Sequence, residues 1–286
     1  LDITNYDNAQ RFIISNLAPA TDSTLWVVGN SVYLPPKLPR AHVLELDTGL
    51  NVLQGYQVSS TLDSLIWGLS VAKIDSHIAM GGYRAAVGTR PGYWVWDAQG
   101  NLVQSVVMDS LYNSTLILSK YNDRLLFGLN FLTFYSRGEI STDDFVVEKL
   151  YRDSATNGGS IFVYGYHNEI VGKKSNEIYC YGQLKNEKFA MMKLDSNLNI
   201  QALDTYVTRP GQKTRVDRGM LDASDYHRVF FATAENPLYQ PWDLTHGLTN
   251  SLKLWRVDTG GNEIWSVTIA DSAYYFPTKN VATSDG

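Results

Sequence analysis

"LWRVDTGGNEIWSV", residues 254–267, sets two alternating apolar, β-prone runs on either side of Asp258-Thr-Gly-Gly-Asn262. The hinge recurs. "LELDTGLNV" places Asp47 four residues before Asn51, "WVWDAQGNL" places Asp97 four before Asn101, and "MKLDSNLNI" places Asp195 four before Asn199. An aspartate that opens a turn bonds backbone amides ahead of it, and Gly or Asn tolerates the left-handed position that completes a hairpin. Each copy therefore reads as a β-hairpin, and a hairpin repeated at regular spacing reads as a repeat architecture.

From Asp47 to Asp97 is 50 residues, from Asp97 to Asp195 is 98, and from Asp195 to Asp258 is 63. The double interval predicts a further copy near 145, where "TDDFVVEKLYRDSATNGGSIFVYG" keeps the strand pattern and has lost the hinge consensus. A second anchor has the same period: "DSTLWVVGN", "DSHIAMGGY", "NDRLLFGLN", "SNEIYCYGQ" and "DYHRVFFAT" each put a polar turn before an apolar strand, with another short strand just ahead. Each unit thus reads as strands a, b, c and d, with a short a–b turn, a variable b–c loop and the Asp-hinge between c and d. Four strands in about 50 residues describe a propeller blade.

The expected fold is all-β, a β-propeller of four-stranded antiparallel blades occupying residues 1–286 as one domain. Five units are legible, at about 12–58, 67–107, 116–166, 169–207 and 218–269. Residues 1–7 and 280–286 read as parts of a closing blade, so six or seven blades are expected in an intact protein that continues past Gly286. Closure removes open sheet edges, which otherwise invite aggregation.

Composition bounds the function. The 286 residues are 44% hydrophobic, enough for a large core, and the net charge of −5 with a pI near 5.5 supplies no basic surplus for phosphates. Nucleic acid is a poor partner by that measure, and no apolar run reaches the roughly 18–20 residues of a membrane span. The single cysteine, Cys180, excludes an internal disulfide, and the five histidines lack metal-ligand spacing. No nucleophile elbow, P-loop or dinucleotide fingerprint is present, so no cofactor, no metal and no catalytic residue is expected. Glu139, Asp143 and Asp144 form an acidic loop that reads as solvated rather than as a calcium site.

Antiparallel strands put the a–b and c–d turns at one end of a blade and the b–c loops at the other. The b–c segments at 31–41, 82–93, 129–144 and 234–251 carry the unusual residues: Tyr33, Tyr83, Arg84, Arg90, Tyr93, Phe131, Phe134, Tyr135, Arg137, Tyr239, Trp242 and His246. Aromatics and arginines are enriched at interface hot spots, so this end is the expected binding face, for a protein partner or a glycan. Two alternatives compete. A carbohydrate-active enzyme would need a pair of carboxylates in the channel, with Asp222 or Asp75 as the candidate acid. A structural spacer in a long adhesin would need only rigid blades.

"LWRVDTGGNEIW", "MKLDSNLNI" and "VATSDG" resemble the divergent propeller repeats of large bacterial secreted and cell-surface proteins, many of them exported by the type IX route. The resemblance implies a propeller, an extracellular or outer-membrane-associated location, and a role in a surface or secretion-associated complex. It also implies O-glycan attachment at Asp-Ser tripeptides, with Ser23, Ser64, Ser110, Ser154 and Ser272 as acceptors. Asp-Ser is equally ordinary turn chemistry.

Overall fold

A computed structural model describes residues 11–33, 38–61, 64–86, 88–111, 114–130, 135–153, 170–173, 177–183, 189–206, 213–221, 227–235, 251–258 and 263–270. All its named elements are strands, in five four-stranded antiparallel sheets whose strands follow chain order. Sheet 1 comprises β1 (Arg11–Pro19), β2 (Leu25–Val32), β3 (Arg40–Leu46) and β4 (Val52–Ser59). Sheet 2 comprises β5 (Leu65–Ile74), β6 (His77–Ala86), β7 (Gly88–Trp96) and β8 (Leu102–Val107). Sheet 3 holds β9 (Thr115–Tyr121), β10 (Arg124–Asn130), β11 (Tyr135–Ile140) and β12 (Val147–Asp153). Sheet 4 holds β13 (Ile170–Lys173), β14 (Glu177–Gln183), β15 (Phe189–Leu194) and β16 (Ile200–Tyr206), and sheet 5 β17 (Lys213–Leu221), β18 (His227–Glu235), β19 (Ser251–Asp258) and β20 (Glu263–Ala270). This is a β-propeller. The chain divides into two compact units, 1–152 with sheets 1 to 3 and 153–286 with sheets 4 and 5.

The Asp-hinge works as its residues imply. In the turn after β7, Asp97 Oδ1 accepts the backbone N–H groups of Gln99 (2.9 Å) and Asn101 (2.8 Å), and Oδ2 accepts Asn101 Nδ2–H (2.9 Å). Asp47 with Asn51 and Asp195 with Asn199 repeat the arrangement. The Asn101 side-chain bond holds the Asp97 carboxyl below its ordinary pKa, as Asn51 does for Asp47. The residue before each asparagine is left-handed: Leu50 (φ 64°), Gly100 (φ 86°) and Leu198 (φ 66°). Leucine in that region is uncommon, and the aspartate-centred bonds hold it there.

A bulge accompanies every hinge. Opposite Glu45/Leu46, Val95/Trp96, Lys193/Leu194 and Arg256/Val257, the outer strand carries one extra residue: Leu53, Val103, Gln201 and Ile264. Each stands six residues after its hinge aspartate. A bulge bends a strand and re-aims the extra side chain, and Leu53, Val103 and Ile264 are exposed.

The turn between β11 and β12 explains the missing copy. Ser141 N–H bonds Val146 C=O (2.8 Å), where Asp97 N–H bonds Asn101 C=O, so this turn is one residue longer. Ser141 Oγ stands in for the carboxylate by accepting N–H from Asp143 (3.3 Å) and Asp144 (3.5 Å). Phe145 (φ 55°) takes the left-handed position, with its ring buried beside His77 at 4.9 Å. At the same end Glu139 accepts two bonds from Arg124 (2.6 and 2.7 Å) and one from Lys149 (2.7 Å), tying β10, β11 and β12 together. The Arg124 bond is the main cause of a Glu139 pKa lowered to about 2. Glu139 is thus committed to two cations and takes no part in the loop formed by Asp143 and Asp144.

Within the first unit the sheets pack face to face. Trp26, Val28, Val43 and Tyr56 of sheet 1 meet Ile78, Met80, Trp94 and Trp96 of sheet 2. Tyr93, Val95, Ala79 and Ile74 on the other face of sheet 2 meet Leu116, Leu118, Phe127 and Ile140 of sheet 3. Burying one tryptophan removes roughly 200 Å² from water, about 5 kcal/mol before entropy is counted. First strands are also stitched to one another. Asn16, just past a bulge in β1, donates Nδ2–H to Leu69 C=O (3.1 Å), and Ser70, just past the matching bulge in β5, accepts Leu118 N–H (2.8 Å).

Candidate functional site

The b–c end of sheet 2 carries two built groups, one on each face of the sheet. Residues 82–93, read from sequence as a loop, instead continue β6 and β7 as paired strands up to Ala86 and Gly88. Glycines and arginines disguise the alternation there. Tyr83 lies directly opposite Trp67 of β5, and the two half-buried rings stack at 12° with centroids 6.5 Å apart.

The next residue along β6, Arg84, is directed to the opposite face, where it is paired across the ladder with Arg90. Like charges placed opposite each other repel. Asp109 resolves the conflict: its Oδ1 accepts Arg84 Nη2–H at 3.0 Å and Arg90 Nη1–H at 2.5 Å. The Arg90 bond is the leading reason that the Asp109 carboxyl titrates below its ordinary range. Backbone bonds from Met108 N–H to Pro91 C=O and from Leu111 N–H to Met108 C=O, with Leu111 buried, position the aspartate. The Arg84 side chain is 31% exposed and that of Arg90 18%. Such a cluster suits a ligand bearing carboxylate or carbonyl oxygens.

The other predicted face residues divide. Tyr33 is buried, with its Oη 3.0 Å from Ser31 Oγ, which is 2.7 Å from His42 Nε2, and the Arg40 guanidinium lies over the Tyr33 ring at 5.7 Å. Tyr93 is a core residue, not a surface one. It falls on the sheet 2 face that meets sheet 3, its hydroxyl donates to Phe145 C=O (2.8 Å), and burial raises its pKa to about 12. Arg137 is likewise buried, within β11, with its guanidinium 5.6 Å from the Tyr151 ring centre. Tyr135 is the first residue of β11. Phe131, Phe134, Tyr239, Trp242 and His246 lie outside the described residues.

Among the Asp-Ser tripeptides, Ser23 and Ser110 are exposed and Ser64 is half-buried, while Ser154 and Ser272 lie outside the described residues. Asp75, one candidate channel acid, sits in the exposed turn between β5 and β6 with φ 49°; Asp222 is outside the described residues. Two site residues escaped the sequence reading. Trp67 falls in strand a, whose apolar character reads as core, and only its cross-strand partner marks it as part of a platform. Asp109 was read as half of an Asp-Ser pair, because its arginine partners are 19 and 25 residues away.

No family model and no curated protein sequence matches the chain. Solved structures resemble it in fold. A chain of hydrazine synthase from Kuenenia stuttgartiensis aligns at TM-score 0.51 and 9% identity, over 84% of this chain and 62% of that one. The Dos1 propeller aligns at TM-score 0.51 and 11% identity, over 92% of this chain and 69% of that one. A GH43 β-1,3-galactosidase aligns at TM-score 0.50 and 9% identity, over 91% and 94%. This chain therefore spans less than two thirds of the hydrazine synthase chain that it matches. At such identities the likeness is one of fold, and the structures named include a glycoside hydrolase.

Proposed function

We propose that the chain is a non-catalytic binding module, a secreted or cell-surface β-propeller that holds a protein partner, or a glycan, at its b–c end as a subunit of a surface or secretion-associated complex. The observation that carries this reading is the pair of groups at the b–c end of sheet 2: a stacked Trp67–Tyr83 pair on one face, and Arg84 and Arg90 held in place by Asp109 on the other. Rings and guanidinium groups fixed before binding lose little freedom when a partner arrives, so their contacts are retained as affinity. The exposed Ser23 and Ser110 fit the access that O-glycan attachment requires.

The test is capture on the immobilised full chain from cells of its source, comparing the native sequence with Trp67→Ala and Arg84→Ala. Loss of the same co-eluting partner from both variants, with unchanged thermal melting, supports the reading. Capture that is indifferent to both would overturn it. Added hexose mass on tryptic peptides containing Ser23 or Ser110 would support the surface location, and unmodified peptides from the native source would count against glycan attachment.

A further inference from the structure

A second surface lies at the opposite end. We propose that the hinge rim of the first unit is a docking surface for a cationic, amphipathic polypeptide segment. Leu50, Leu53, Leu102, Val103 and Val146 are between 44% and 57% exposed, on or just after three successive c–d turns. They form one surface because the outer strands are latched to the turns beside them. Gln54 Nε2–H donates to Ala98 C=O (3.3 Å) and Gln104 Nε2–H to Asp144 C=O (3.5 Å). The first latch joins β4, next to Leu53, to the 97–101 turn; the second joins β8, next to Val103, to the 141–146 turn. The bulges that push Leu53 and Val103 outward recur at the same hinge position, so this exposure is built into the repeat.

The charge around this apolar strip selects the occupant. The a–b and c–d turns of sheets 1 to 3 contain Asp22, Asp47, Asp75, Asp97, Asp123, Asp143 and Asp144, and none contains Lys or Arg. Of the nearby cations, Arg124 and Lys149 are engaged by Glu139, leaving Lys73 and Lys120 at the strand ends. A second copy would bring one acidic rim against another, and anionic lipid would be repelled for the same reason. A segment with aliphatic side chains on one face and Lys or Arg on the other satisfies both the strip and the aspartates.

The probe is a fluorescein-labelled Leu/Lys helix of about 18 residues, five turns, titrated against the full chain by polarisation. An oligolysine of equal charge and a peptide of the same composition in scrambled order serve as controls. The amphipathic peptide is expected to bind at least tenfold more tightly than either control, with affinity falling as salt rises. Leu53→Ser and Val103→Ser should each weaken it about tenfold. Asp143→Asn with Asp144→Asn should flatten the salt dependence, and Arg84→Ala at the other end should change nothing, which separates this surface from the proposed b–c site. Circular dichroism melts verify folding of each variant. Equal binding of oligolysine, indifference to both Ser variants, or a dimer by sedimentation that Leu53→Ser abolishes would each overturn the proposal.

Discussion

The turn at Asp97 and the turn at Ser141 do the same work by different means. At Asp97, five consecutive residues supply the bonds that shape the turn: one carboxylate takes three donors, and Gly100 relieves the left-handed position with nothing near the place a Cβ would occupy. At Ser141 the bonds from backbone N–H to the side-chain oxygen are longer, and the turn leans on the rest of the unit. Phe145 is anchored in the core between sheets 2 and 3, its carbonyl accepts the Tyr93 hydroxyl, and Glu139 binds three strands through two cations. A hairpin can thus be specified by its own sequence or by its surroundings, and only the first kind repeats visibly along a chain.

Five substitutions would break or sharpen that contrast. Phe145→Gly should have the largest effect, a loss of about 3 kcal/mol by urea unfolding. It deletes a buried aromatic, and the relief of a left-handed residue returns only about 1 kcal/mol. Glu139→Gln should cost on the order of 2 kcal/mol, because the partly buried Arg124 loses its bidentate partner. Its pH dependence is diagnostic. With a folded pKa near 2 against an ordinary 4.5, Glu139 stabilises the fold fully above the ordinary value, and that stabilisation should fade as pH falls from about 4.5 through 2. A native protein whose melting temperature is flat over that range would sink the clamp. Asp97→Ala should cost about 1 kcal/mol, like the loss of a helix cap, whereas Leu50→Gly at the exposed left-handed position of the Asp47 turn should gain a few tenths. Equal losses at Asp97 and Ser141 on conversion to Ala would erase the distinction between the two turns.

Legibility followed the same division. Strand alternation and the Asp-to-Asn spacing were enough to read four-stranded sheets, because those signals sit within a few residues of one another. The turn at Ser141 broke the pattern through one added residue and the exchange of Asp and Asn for Ser and Val, with its compensation dispersed over β7, β10 and β12. The site was legible only in part. Tyr83, Arg84 and Arg90 read as face residues, and the structure joins Tyr83 to Trp67 by ladder pairing and the two arginines to Asp109 by ion pairs, none of which a local motif announces. Tyr93 and Arg137 were misplaced for a related reason: aromatic and arginine content marks an interface residue, but strand parity decides which way it faces. Tyr93 has the parity of Val95, which belongs to the core.

The bulged first strands have a mechanical corollary. Asn16 reaches only as far as Leu69, and Ser70 only as far as Leu118, so each stitch joins one sheet to the next and none skips a sheet. A pulling force applied at the start of β1 therefore loads the Asn16 stitch before the Ser70 stitch carries any strain. Stretched in an optical trap, the first unit should lengthen in steps, sheet 1 peeling away while sheets 2 and 3 still grip each other.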